Sequence, residues 1–176
     1  MGFSISWLAV RSEKAQKALS ALGLSETPSK EWMPEAPVVA TAVASGWHVI
    51  VFNDVSPKAL QPEVLRQLSA SSTVVVCQVE EHAMVSAAAE WRDGKEVWYL
   101  THDSEDGLTD LDSGGELPEA FAAIRDAQFA KQESNDVDHV FEVPILLAQH
   151  LTGFRHDETF DDAATEPFTV LHLRAN

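Results

Sequence analysis

Cysteine occurs once in the 176 residues, and lysine and arginine together number only 12 against 28 aspartates and glutamates. A single thiol excludes an internal disulfide and every paired-cysteine metal or redox motif. That thiol, Cys77, sits inside TVVVCQV, where a small buried sulfur is expected and no cationic neighbour in sequence would lower its pKa. No stretch reaches the roughly 18 apolar residues needed to cross a bilayer. The opening MGFSISWLAVRS lacks a basic leader, and serines break its apolar run, so it reads as a strand and not as a signal peptide. A cytoplasmic protein is the expectation. Met1, Gly2 and Ser6 match the N-myristoylation pattern formally, but no polybasic patch accompanies them.

Motifs that name a reaction are also missing. There is no phosphate-cradling glycine loop, no G-x-S-x-G elbow and no H-E-x-x-H pair. No cofactor is therefore expected.

What the chain does have is anionic charge, unevenly placed. Residues 1 to 88 carry 6 basic and 8 acidic side chains, a net of −2, whereas residues 89 to 176 carry 6 and 20, a net of −14. Such a field repels phosphates and anionic lipid, so nucleic acid and membrane surfaces are disfavoured and a basic protein is the expected partner.

Hydrophobic patterning supplies the architecture. Phe3 to Arg11 alternates as a strand; Ser12 can cap a helix carrying Ala15, Ala18, Leu19 and Leu22, which Gly23 ends. SETPSKEWMPEAP, with three prolines, reads as a long surface connection. VVATAV and WHVIVFND form a hairpin about Gly46, and Ser56 and Pro57 introduce an amphipathic helix through Leu68. STVVVCQVEE is a strand apolar enough for a central position.

Asp93 and Gly94 mark a two-residue turn that opposes Arg92 to Lys95, Trp91 to Glu96, Ala89 to Trp98 and Ala87 to Leu100. One face then carries Val85, Ala87, Ala89, Trp91, Trp98 and Leu100, and is expected in the core. Pro118 opens a helix to about Lys131, VDHVFEV reads as a short strand, and PILLAQHLTG is a helix from Pro144 to Gly153. FTVLHLR closes the chain as a strand. Strands in adjacent runs with irregularly interspersed helices predict a single α+β domain over residues 1–176, with a mainly antiparallel sheet of about six to eight strands and about four helices.

HDSEDGLTDLDSGGE, residues 102 to 116, holds six carboxylates and no lysine or arginine. It fails as a calcium loop: counted from Asp110, position 5 is Gly114 and position 12 is Phe121, and counted from Asp103, position 5 is Gly107. A solvated connection or a partner-facing patch is expected, with Asp103, Glu105, Asp106, Asp110 and Asp112 as contact residues, joined by Asp157, Glu158, Asp161 and Asp162 of the second acidic stretch. The competing chemistry is a metal-dependent hydrolase. Strand alternation sends Glu80 and His82 to one face, a carboxylate and imidazole able to act as acid and base, with His102 and Asp103 completing the set. The balance of charge and absent motifs favours a non-catalytic acidic binding protein, with an immunity-type inhibitor of a basic toxin or nuclease as the specific case.

Overall fold

In the computed structural model, which describes residues 2–133, 136–158, 160 and 165–174, thirteen strands and α-helices follow the chain. They are β1 (Ser4–Arg11), α1 (Ala15–Ala21), β2 (Leu24–Glu31), β3 (Val38–Val43), β4 (Trp47–Phe52), α2 (Pro62–Ser69), β5 (Val74–Glu80), β6 (Val85–Arg92), β7 (Lys95–Asp103), β8 (Asp112–Gly115), α3 (Ala120–Gln132), α4 (Glu142–Thr152) and β9 (Phe168–Leu173). All nine strands join one sheet in the order β2-β9-β3-β4-β1-β5-β6-β7-β8, every neighbouring pair antiparallel. The fold is α+β, and no helix among the described residues is long and apolar enough to cross a membrane.

The central strands are apolar on both sides because helices cover both sides. On the first face, Ile5, Trp7 and Ala9 of β1 join Val75, Cys77 and Val79 of β5 under Val143, Ile145 and Leu147 of α4. α3 packs chiefly on α4. On the second face, Leu8 and Val10 join Val74 and Val76 under Leu19 of α1 and Leu65 and Leu68 of α2. Each buried leucine is worth about 2 kcal/mol in removed apolar surface. Pro62 opens α2 where its missing N–H costs nothing, and Gly153 ends α4 in the left-handed region, φ 75°, donating its N–H to the Gln149 carbonyl at 2.7 Å.

Besides the start of α2, which lies at Pro62 and not at Ser56 and Pro57, three expectations need correction. The proline-rich connection contains β2, an edge strand that pairs β9 despite its polar sequence; with β8 it raises the strand count above the expected range. Residues 137 to 143 are not a strand. Asp138 accepts the Phe141 N–H at 3.1 Å and turns the chain into α4, which begins at Glu142 and so accommodates Pro144 in its first turn. The third correction concerns β7.

The Asp93–Gly94 turn forms as expected and opposes Arg92 to Lys95 and Trp91 to Glu96. The register then shifts: the next pairs are Glu90 with Trp98, Ala89 with Tyr99, Ala88 with Leu100, and Val85 with Asp103. Val97 is the extra residue of a β-bulge, and beyond it every β7 side chain changes face. Trp98 and Leu100 therefore enter the core under α4 with Ala88, while Ala89 and Trp91 pack on the opposite side. Val85 and Ala87 are half-buried and belong to neither core cluster.

Candidate functional site

Register determines what the far end of the sheet displays. Ser4, Glu80, Val85 and Asp103 lie in one row across β1, β5, β6 and β7. The adjacent row on the same face is Ser6, Gln78, Ala87, Thr101 and Asp112. Both rows fall on the second face, beyond the reach of α2, whose apolar contacts end at Ala89 and Tyr99. On the β1 side the segment after β4 folds over the sheet: Ser6 Oγ donates to the Asp54 carbonyl at 2.7 Å and Gln78 Nε2 to the Val55 carbonyl at 2.7 Å. Among the described residues no helix packs on the half-buried apolar pair Val85 and Ala87, which has Glu80 on one side and Asp103 and Asp112 on the other.

Each carboxylate is placed by local bonds. Glu80 accepts from the Ser4 hydroxyl, which holds its pKa below the ordinary carboxylate value, and from the His82 backbone N–H at 3.1 Å. Asp103 Oδ1 accepts the Glu105 N–H at 2.9 Å, an Asx turn that starts the acidic loop. The loop is then closed by Asp106 N–H to the Asp103 carbonyl, Gly107 N–H to Ser104 and Asp110 N–H to Gly107. Ser104 ties it to the turn before β6 through its N–H on the Met84 carbonyl at 3.2 Å. Asp112 lies on β8, an edge strand whose glycines let it approach β7 closely. A Cβ on Gly114 would lie 2.5 Å from the Tyr99 ring, and one on Gly115 would lie 2.1 Å from the Val97 carbonyl oxygen.

None of the seven carboxylates from Asp103 to Glu119 takes part in an ion pair among the described residues. Glu105, Asp106, Asp112, Glu116 and Glu119 are exposed, and Asp103 and Asp110 are half-buried. Nor do three His, Cys, Asp or Glu side chains anywhere among the described residues converge so as to hold a metal ion.

The hydrolase set is not assembled. His102 lies in the row of Ile5, Val79 and Ser86, on the first face with α4, and is 0% exposed. Its Nδ1 donates to the Asp110 carbonyl at 2.7 Å and its Nε2 is 2.8 Å from Asp138 Oδ2. Glu80 and Asp103 are on the other side of the sheet. His82 is exposed on the turn after β5. The one-residue bulge exchanges His102 for Asp103 in the row beside Val85, so the sheet itself separates the imidazole from the carboxylates.

The second acidic stretch is divided. Asp157 is committed to Arg155, whose side chain is only 14% exposed and whose Nη1 also donates to Glu142 Oε2 at 2.7 Å. Burial works against the Arg155 charge, but bonds to Asp157 and Glu142 prevail and its pKa is raised. Burial likewise opposes the Asp157 charge, and the Arg155 bond and the neighbouring His156 overcome it, lowering that pKa. Glu158 accepts from Gln149 Nε2 at 2.9 Å, while Asp161 and Asp162 lie outside the described residues.

Sequence reasoning missed Asp138 and Glu142 as partners of His102 and Arg155. Asp138 lies 36 residues from its histidine, within a segment read as a strand, and no spacing pattern connects them. Searches against protein-family models, curated proteins and solved structures found no match for this chain.

Proposed function

We propose that this protein is a non-catalytic binding protein that engages a basic protein through its carboxylates, with inhibition of a basic toxin or nuclease in the cytoplasm as the specific case. The observation that carries the reading is the run of carboxylates from Asp103 to Glu119 without an internal cation among the described residues. An acidic loop whose charge served folding would be expected to pair with lysine or arginine, as Asp157 and Glu142 do with Arg155. Here the charge is left for something else. A net charge of −16 accelerates encounter with a cationic surface by about 10- to 1,000-fold at low ionic strength. The hydrolase reading loses support because His102 and the carboxylates occupy opposite faces of the sheet.

Affinity capture on the immobilised protein from its source cell, eluted by rising salt, tests the reading. Proteins of net positive charge should be retained and then released as the screening length shrinks below about 5 Å. Retention indifferent to salt, or of acidic proteins as readily as basic ones, would contradict it.

A further inference from the structure

We propose that the end of the second sheet face beyond α2 is the docking surface, and that the partner seats there a basic segment with an apolar side chain between its cations. The inference rests on the binding reading above and specifies where the contact is made and with what chemistry.

The argument begins with β6. A strand face left only to solvent alternates to polar residues, as an antiparallel sheet with one wet side normally does. β6 instead places Val85 and Ala87 there, and neither packs into a core. The Tyr99 ring continues the apolar surface toward α2, lying over Gly114. Neighbouring strands are about 4.8 Å apart, so Glu80 on β5 and Asp103 on β7 straddle Val85 at a backbone separation of about 10 Å. Asp112 on β8 extends the acidic side by one further strand. The result is an apolar seat bordered by carboxylates on two sides.

Charge selects the occupant. Glu80, Asp103 and Asp112 have no cationic side chain paired with them among the described residues. A second copy of the chain would bring the same carboxylates face to face, and nucleic acid or anionic lipid would bring phosphates; both arrangements are repulsive. A lysine- or arginine-bearing segment pairs with the rim, and its apolar side chain covers Val85 and Ala87. Flat apolar contact with a charged border gives such an interface both affinity and register.

The test uses a fluorescein-labelled octapeptide alternating lysine with valine, and its glutamate–valine counterpart, titrated at low salt. Ala87→Arg puts a cation in the centre of the seat, on the second face but outside both core clusters. Binding of the lysine peptide should weaken about tenfold or more in this variant and in the Asp103→Asn/Asp112→Asn pair, but less than about twofold for Asp126→Gln on α3. Amide shifts on adding peptide to the wild-type protein should concentrate at Val85, Ala87, Tyr99 and Thr101, which settles the matter even if a variant misfolds. Lysine-peptide binding that is unaffected by Ala87→Arg, with shifts elsewhere, overturns the docking surface and leaves the binding reading intact. No preference of the wild-type protein for the lysine peptide over the glutamate peptide contradicts the binding reading itself.

Discussion

Replacing Gly115 with alanine should release β8 from β7 without unfolding the rest of the sheet. Gly115 has φ 81°, in the left-handed region where an L side chain costs about 1 to 2 kcal/mol. Its Cβ would also lie 2.1 Å from the Val97 carbonyl oxygen and 2.9 Å from the Trp98 Cα. Both are backbone atoms, so no rotamer change relieves the contact. The Val97 carbonyl is the acceptor of the Glu116 N–H at 2.9 Å, so the collision falls on a bond that closes the strand. Against this, β8 is held by only four paired positions and a few hydrogen bonds worth about 1 kcal/mol each. Strain and attachment are of similar size, which makes local detachment the cheapest response. Amide hydrogen exchange should accelerate by about tenfold or more at residues 112 to 116 while β1 and β5 keep their protection. Because Asp112 leaves its row, lysine-peptide binding should weaken as well. Exchange and melting temperature identical to wild type would refute both the assigned conformation of Gly115 and the role of β8.

Other outcomes follow from the buried side chains. Trp98 is 1% exposed and donates its indole N–H to Glu90 Oε2 at 3.2 Å, so Trp98→Ala should cost about 3 to 5 kcal/mol in urea unfolding, whereas a Trp98 on the solvent side would cost far less. His156 is buried and neither ring nitrogen has a hydrogen-bond partner among the described residues. Burial lowers its pKa from the ordinary 6.5, with Asp157, Glu81 and Glu142 opposing and Arg155 assisting. The folded state thus binds this proton less readily than the unfolded one, and stability should fall as pH drops below 6.5; His156→Phe should flatten that slope in thermal melts between neutral and mildly acid pH. Burial pushes the Cys77 thiol up to about 12, so it should resist a disulfide exchange reagent at pH 8 and react promptly in denaturant. Arg155→Met should destabilise by about 2 to 4 kcal/mol, since Glu142 and Asp157 would lose their shared cation; an unchanged urea midpoint would count against the pairing.

Periodicity made most of the sheet legible. Alternation in Phe3 to Arg11, the Gly46 hairpin, the Asp93–Gly94 turn and Gly153 as a helix stop all rest on local backbone preferences, and the structure contains each of them. The bulge at Val97 carries no such signal, because a β-branched residue within EVWYL fits a regular strand as well as a bulged one. Its consequence is large for the site. A one-residue slip decides whether His102 or Asp103 stands opposite Val85, and hence whether the sheet end reads as a His/Glu chemistry or as an acidic rim. β2 was hidden for a different reason: a polar edge strand interrupted by Pro28 lacks the apolar alternation that marks a strand, and its pairing with β9 depends on a partner about 140 residues away. The carboxylates themselves were visible in sequence. Their lack of internal cations was not, since ion pairing depends on contacts that spacing does not encode.

The central claim is best tested by the rate at which the protein associates with the lysine–valine peptide across a salt series, measured by stopped-flow fluorescence with Ala87→Arg alongside. An unpaired acidic rim around a half-buried apolar seat predicts an on-rate that falls steeply with ionic strength and a complex that the central cation weakens. Association equally fast at low and high salt, or equally tight in Ala87→Arg, would contradict it.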